Sequence, residues 1–197
     1  LSLLLAFEKN IHTQFISVQK GSWKRSVGRE LRGKTIGIIG LGAIGKEAGL
    51  LLSNIGMNVI GFDVRKDERF LSQNPQITFG TLDSLFRQSD YITLHIPLND
   101  STRHLINKHS LEKIKSDAVI VNTARGELVN TVDLLNALKN SKLRGYLCDV
   151  LENEPIEPSE PLIGNSKVLI TPHVGSRTLE NIAKQGIASI ENLKNSL

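Results

Sequence analysis

The chain has 197 residues, carries a formal net charge of +4, and is 40% hydrophobic and 22% charged. This composition is ordinary for a globular protein and excludes a disordered, collagen-like or coiled-coil chain. The basic residues are dispersed, so we expect mild attraction to anions and no nucleic-acid partner. No apolar stretch approaches the roughly 18 residues of a membrane span, so no membrane association is expected.

The first residues and the cysteine content bear on the compartment. Cys148 is the single cysteine, which excludes an intramolecular disulfide and is consistent with a reducing cytoplasm. The chain begins at Leu1, inside an apolar pattern that has neither the basic leader nor the cleavage site of a secretory signal. We therefore expect a cytoplasmic protein, of which this chain is a piece.

Hydrophobic periodicity predicts the elements in chain order. A helix over residues 1–20 leads into the domain, and its apolar stripe comprises Leu4, Phe7, Ile11, Phe15 and Val18. Short apolar runs bounded by glycines or polar residues predict strands at 34–40, 57–62, 77–79, 91–95, 118–121, 145–148 and 168–170. Helical patterns follow at 43–55, 81–88, 108–114, 131–140 and 178–195.

The alternation of strands and helices predicts a parallel sheet that is covered on both faces. The fold class is therefore α/β, a Rossmann-type doubly wound sheet in a single domain over 1–197. Its core spans 34–176, and the helix at 178–197 leaves it. Residues 152–166, rich in proline and glutamate, are predicted to form a surface loop.

A glycine motif, Gly40-Leu41-Gly42-Ala43-Ile44-Gly45, joins the first strand to a helix. In a dinucleotide site Gly40 allows the tight turn, Gly42 lets the backbone approach a pyrophosphate, and Gly45 lets the helix pack on the strand. The N–H groups of Ala43 and Ile44 would then face the phosphates. A glycine turn in an unrelated α/β protein is the alternative interpretation.

Asp63 follows the second strand, where an acid accepts hydrogen bonds from the ribose hydroxyls of NAD. A carboxylate at this position repels the 2′-phosphate of NADP, so NAD is the expected cofactor. Arg65 and Lys66 follow immediately and weaken that preference, unless they are solvated loop charges.

Four further segments resemble the D-isomer-specific 2-hydroxyacid dehydrogenases. They are Gly33–Gly42, Asn122-Thr123-Ala124-Arg125-Gly126, Asp149–Pro155, and Thr171-Pro172-His173-Val174-Gly175-Ser176. The similarity covers nearly the whole chain, and the motifs occur in the family's order. Within the family the chain looks most like the D-3-phosphoglycerate dehydrogenases of serine biosynthesis, with the glyoxylate/hydroxypyruvate reductases close behind.

The resemblance implies three catalytic residues for the reduction of a 2-oxo acid. His173 matches the general acid/base, and Glu154 matches the carboxylate that orients and charges its imidazole. Arg125 matches the arginine that binds the substrate carboxylate and polarises the carbonyl. Singly, each has a structural alternative: a helix cap for His173, a loop acid for Glu154 and a surface ion pair for Arg125.

The same matches imply further contacts with NAD. Asp149 would bind the nicotinamide carboxamide, and Ile96 and Pro97 would border the adenosine. The residues expected around the nicotinamide half are Thr123, Ala124, Arg125, His173, Gly175 and Ser176. No metal is expected.

The resemblance also implies what else the parent protein contains and does. Members of the family have a second, substrate-binding domain, which is absent here, so we expect this chain to bind NAD but to catalyse weakly alone. The family also dimerises through the nucleotide-binding domain, so a homodimer is expected. Two alternatives stay open: a dinucleotide-sensing corepressor-like interaction protein, and a non-catalytic assembly module.

Overall fold

A seven-stranded sheet forms the centre of the molecule. The computed structural model describes residues 1–196. The strands are β1 (Thr35–Ile39), β2 (Asn58–Phe62), β3 (Ile77–Phe79), β4 (Tyr91–Leu94), β5 (Val119–Asn122), β6 (Gly145–Cys148) and β7 (Val168–Ile170). Their order is β3-β2-β1-β4-β5-β6-β7, and every neighbouring pair is parallel. The predicted Rossmann-type fold is confirmed.

Two helices precede the first strand in sequence, one follows the last strand, and the others lie between strands. They are α1 (Ser2–Glu8), α2 (Ile11–Gln19), α3 (Ala43–Asn54), α4 (Glu68–Gln73), α5 (Leu82–Gln88), α6 (Lys108–Leu111), α7 (Thr131–Lys139) and α8 (Leu179–Ser196), with a 3₁₀ turn at Gly126–Leu128. Successive strand residues join two separate apolar clusters, one on each face of the sheet. One cluster includes side chains of α1 and α3, and the other includes side chains of α5, α6 and α7.

The strand predictions hold because the central strands are buried on both faces. All four residues of β4, β5 and β6 are buried, and they form nearly continuous apolar runs. The helix expected at 108–114 is confined to Lys108–Leu111, and the short α4 was not predicted. The Asp67 carboxylate caps α4 by accepting the N–H of Phe70 at 2.9 Å.

The single helix predicted over 1–20 is wrong, because the chain breaks into α1 and α2 at Asn10, which adopts a left-handed conformation with φ 51°. Leu4 is 2% exposed in the sheet-facing core, and the ring of Phe7 packs against Gly145. The first half of the predicted stripe therefore packs on its own domain, and only the half on α2 remains exposed.

Helix α8 confirms the last predicted helix, and its side chains over 179–194 are exposed. Its exposed apolar residues are Leu179, Ile182, Ile187, Ile190 and Leu193. None of the helices within residues 1–196 is long and apolar enough to cross a membrane.

Candidate active site

The candidate site lies at the carboxyl ends of the parallel strands. The strand order reverses at β1, whose neighbours are β2 and β4, and open α/β sheets bind ligands at such a switch point. The glycine turn follows β1, and the loops after β2, β4, β5, β6 and β7 carry the other predicted site residues. The topology therefore brings all of the predicted site loops to one edge of the sheet.

The three glycines of the turn differ in their surroundings. Gly40 has φ 99°, and a Cβ on it would lie 2.5 Å from the carbonyl oxygen of His95. A Cβ on Gly45 would lie 1.8 Å from the carbonyl oxygen of Gly40, so α3 packs tightly on the turn. A Cβ on Gly42 would meet nothing within 4 Å, which leaves its backbone open to a ligand.

The first turn of α3 suits a phosphate. Gly42 caps the helix without a side chain, and the first turn contains no acidic residue. Ala43 and Ile44 are exposed. Their N–H groups and the positive end of the helix dipole are thus accessible to an anion, and the residues present fit the pyrophosphate of a dinucleotide.

Asp63 lies beside this turn. Its Oδ2 accepts the backbone N–H of Leu41 at 2.7 Å, and its Oδ1 accepts the N–H of Arg65 at 3.3 Å. The side chain of Lys66 pairs with Glu68 at 2.9 Å. The carboxylate of Asp63 is therefore held at the end of β2, as predicted from the sequence. Of the two nearby cations, Lys66 forms an ion pair with Glu68 and not with Asp63.

The loop after β4 packs behind the glycine turn. The side chain of Ile96 lies close enough to Gly40 that a Cβ there would be 2.8 Å from its Cγ2. Pro97 is exposed, and its carbonyl accepts the hydroxyl of Thr102 at 2.7 Å. Burial lowers the pKa of His95 to about 4, so this imidazole is neutral at physiological pH.

A buried asparagine shapes the loop after β5. Asn122 is fully buried; its Nδ2 donates to the carbonyl of Arg125 at 2.8 Å, and its Oδ1 accepts the N–H of Ala124 at 3.1 Å. Thr123 and Arg125 are exposed on the resulting turn. Asn122 was not among the predicted site residues, although a polar residue that ends an apolar strand is a usable signal.

The guanidinium of Arg125 donates to the carbonyl of Ala124 at 2.6 Å. Within residues 1–196, no carboxylate lies within ion-pair distance of it. The surface ion pair that served as its alternative role is thus not observed, and the exposed fork can take a carboxylate from outside the chain.

His173 and Glu154 form a pair. The imidazole Nδ1 lies 2.7 Å from Oε2 of Glu154, and Oε1 accepts the N–H of Leu151 at 2.9 Å. Burial acts to raise the pKa of Glu154, but the hydrogen bonds from His173 and Leu151 outweigh it and hold that pKa below its ordinary value. An ionised carboxylate is therefore anchored against Nδ1 of the ring, and Nε2 is the nitrogen that Glu154 does not contact.

The turn that carries His173 is held by Asp149. His173 has φ 52°, a left-handed conformation that is strained for a residue with a side chain. Asp149, 4% exposed, accepts the N–H of Val174 at 3.0 Å, the N–H of Gly175 at 2.7 Å and the hydroxyl of Thr171 at 2.5 Å. These contacts offset the strain at His173. They use most of the acceptor capacity of Asp149, whose contact with nicotinamide stays a prediction.

Beside the pair lies an apolar cleft of about 720 Å³. Its walls include Leu151, Ile156, Leu162, Ile163 and Ile170, and Glu154 and His173 border it. Among residues 1–196 there is no group of three or more histidine, cysteine or acidic side chains placed to hold a metal. Ser176, three residues after His173, is exposed.

Similarity to known proteins identifies the family of this chain. The family model of the D-isomer specific 2-hydroxyacid dehydrogenase, NAD binding domain, matches residues 1–175. The chain belongs to this family. It comprises a NAD-binding domain, and its cofactor is NAD.

Three relatives illustrate the range of the family. Hydroxypyruvate reductase of Thermotoga maritima is 37% identical over 98% of this chain and 63% of its own length. D-3-phosphoglycerate dehydrogenase of Methanocaldococcus jannaschii is 37% identical over 100% of this chain and 38% of its own length. The crystal structure of a glyoxylate reductase from Paecilomyes thermophila superposes with a TM-score of 0.90 at 34% identity, over 98% of this chain and 59% of that one. The chain thus spans less than two-thirds of each relative.

Proposed function

We propose that the protein is an NAD-dependent D-2-hydroxyacid dehydrogenase that interconverts a D-2-hydroxy acid and its 2-oxo acid. The observation that carries this proposal is the 2.7 Å contact between His173 and Glu154. This pair lies at the same edge of the sheet as Arg125 and the dinucleotide turn. A hydride acceptor, an acid/base pair and a carboxylate anchor are what this reaction needs.

Arg125 binds the substrate carboxylate. Its guanidinium is exposed and has no carboxylate partner among the described residues, and its backbone is fixed by buried Asn122. A planar fork with parallel N–H groups holds a carboxylate in one orientation, which aligns the neighbouring carbonyl carbon.

His173 moves the proton. The hydride for the reduction of the carbonyl carbon would be supplied by NADH when it is bound. The imidazole gives its proton to the carbonyl oxygen, and in the oxidation it takes the hydroxyl proton. Glu154, held ionised by Leu151 and His173, keeps the ring oriented and stabilises its charged form.

For the substrate we propose D-3-phosphoglycerate, and hence a role in serine biosynthesis, with glyoxylate and hydroxypyruvate as the second candidates. Relatives named for both reactions are 37% identical to this chain. Initial rates with the three substrates separate the candidates. Because the relatives are longer, we infer that this chain alone binds NAD but turns over slowly. We also propose that the protein acts in the cytoplasm, with which its single cysteine is consistent.

The substitution His173→Ala tests the catalytic assignment. It is expected to lower kcat by about 10²–10⁴-fold and to leave NADH affinity unchanged. His109→Ala, which removes an exposed imidazole on α6, is the matched control and should keep full activity. Equal turnover by the wild type and His173→Ala would overturn the assignment.

We also propose a homodimer formed through α2 and the loop after it. Large apolar side chains are exposed there: Ile11, Phe15, Ile16, Val18, Trp23 and Val27. Phe15 is 63% exposed and Trp23 is 79% exposed. An apolar surface of this extent is typical of an interface.

A further inference from the structure

Two of the active-site loops meet at Gly126. This glycine follows Arg125 and is buried at the start of the 3₁₀ turn. A Cβ on Gly126 would lie 2.0 Å from the carbonyl carbon of Leu151, 2.2 Å from its oxygen and 2.3 Å from the nitrogen of Glu152. These are backbone atoms of the loop after β6, which cannot rotate away as a side chain can. The arginine loop and the glutamate loop are thus in direct backbone contact.

The contacted peptide also supports the acid/base pair. The N–H of Leu151 donates to Oε1 of Glu154, and Oε2 of Glu154 contacts His173. A displacement of the Leu151–Glu152 peptide would therefore move the Glu154 carboxylate and, through it, the imidazole.

The other side of the contact is equally fixed. Asn122 holds the carbonyl of Arg125, and the peptide on the C-terminal side of Arg125 leads directly into Gly126. A substitution that moved Gly126 would therefore also move Arg125.

His104 provides a second tie between the same two loops. Its N–H donates to the carbonyl of Glu127 at 2.8 Å, and its Nε2 lies 3.6 Å from Oε1 of Glu152. Like His173, it has a left-handed backbone, with φ 53°.

We propose that Gly126 is a positioning residue: its contact with the Leu151–Glu152 peptide, supported by His104, sets the placement of Arg125 relative to the Glu154–His173 pair. The inference rests on the proposed dehydrogenase function. It assigns Gly126 and His104 no contact with substrate. Because catalysis needs carboxylate, carbonyl and imidazole in one geometry, a misplacement of about 1 Å can cost about 10²-fold in rate.

The test compares Gly126→Ala with Gly28→Ala. A Cβ on Gly28 would also strike backbone, 2.2 Å from the carbonyl oxygen of Glu8, but on a loop that carries none of the site residues. Both variants should lose stability. Only Gly126→Ala should shift the ¹⁵N signals of the His173 imidazole, and it should lower kcat by about 10²-fold while NADH affinity is unchanged.

His104→Ala keeps the inference testable if Gly126→Ala does not fold. It removes a side chain that is 40% exposed. It should shift the His173 signals in the same direction as Gly126→Ala does, but by a smaller amount. The NMR measurement needs no turnover, so it decides the inference even if the dehydrogenase assignment fails. The proposal would be overturned if the His173 signals were unchanged in His104→Ala and in folded Gly126→Ala. It would also be overturned if Gly28→Ala shifted those signals as much as Gly126→Ala does.

Discussion

The carboxylate of Asp63 accepts the backbone N–H of Leu41 at 2.7 Å, so the acid that ends β2 is tied to the turn that follows β1. We therefore expect Asp63 to have two functions that can be separated. It shapes the dinucleotide turn through a hydrogen bond, and it places a negative charge where the adenine ribose of NAD is expected.

Substitution of Asp63 by Asn and by Ala distinguishes these two functions. Asp63→Asn keeps an oxygen that can accept the N–H of Leu41 but removes the charge, so it should improve NADP(H) binding by about tenfold, or ~1.4 kcal/mol. It should weaken NADH binding less than Asp63→Ala does, because the amide oxygen is a weaker acceptor than the carboxylate but is still present. Asp63→Ala should also improve the ratio of NADP(H) to NADH affinity, but it should weaken both because the turn loosens. Calorimetry with both cofactors measures this, and an unchanged ratio in both variants would contradict the role of the charge.

The second prediction concerns pH. The pKa of Glu154 lies below its ordinary value of 4.5, because the hydrogen bonds to His173 and Leu151 outweigh the effect of burial. A lowered folded-state pKa stabilises the fold above the ordinary value, and this contribution is lost as pH falls through the lowered one. The difference in urea midpoint between wild type and His173→Ala should therefore shrink as pH falls below 4.5.

Carbon NMR of the Glu154 carboxyl group measures its pKa directly. His173→Ala should raise this pKa. The pKa should rise only part of the way to its ordinary value, because the backbone N–H of Leu151 still donates to the carboxylate. A Glu154 pKa at its ordinary value in the wild type would show that the pair is not formed in solution.

Much of the fold and of the site loops could be predicted from local patterns. The strands are apolar runs bounded by glycines or polar residues, and the dinucleotide turn is encoded within six consecutive residues, 40–45. The parallel topology then brings the ends of β5, β6 and β7 together without further information. His173 and Glu154 were paired from the family resemblance, and the structure shows that contact.

The remaining features depend on contacts between residues far apart in the chain. No spacing shows that Gly126 contacts Leu151, or that buried Asp149 holds the turn around His173. The break at Asn10 was missed because the apolar spacing of 1–20 continues across it. The break occurs at the left-handed Asn10, two residues after Glu8, whose buried carboxylate pairs with Arg144 just before β6.

That buried pair gives the third prediction. Nη2 of Arg144 lies 2.6 Å from Oε1 of Glu8, which is 3% exposed, and 3.4 Å from the hydroxyl of Tyr91. Burial and the Glu8 carboxylate raise the pKa of Tyr91 to about 12. Arg144→Met should cost about 3–5 kcal/mol in the free energy of unfolding, because it leaves a buried carboxylate unpaired.

The double substitution Glu8→Leu with Arg144→Met should recover part of this loss, since neither charge then needs a partner. Asp83→Asn is the exposed control; its carboxylate pairs with Lys113 and Arg87 in solvent, so the urea midpoint should change little. A double variant no more stable than Arg144→Met would contradict this account.

The last prediction is the homodimer. Leu4 and Phe7 pack within their own domain, so charged substitutions there would unfold the protein rather than separate two copies. The interface is instead assigned to the exposed face of α2. Phe15→Glu together with Val18→Glu should convert a dimer into a 21.7 kDa monomer with an unchanged urea midpoint at low protein concentration, because a carboxylate buried at an apolar contact is costly.

Sedimentation equilibrium at tens of micromolar measures the mass of each protein. Val132→Glu is the matched control: Val132 is an equally exposed apolar residue on α7, which packs on the opposite face of the sheet, so this variant should remain dimeric. A wild type of 21.7 kDa would exclude the dimer at that concentration. A dimer that survives both substitutions on α2 would place the interface on another surface, and the exposed apolar face of α8 would be the next to test because it presents five large apolar side chains.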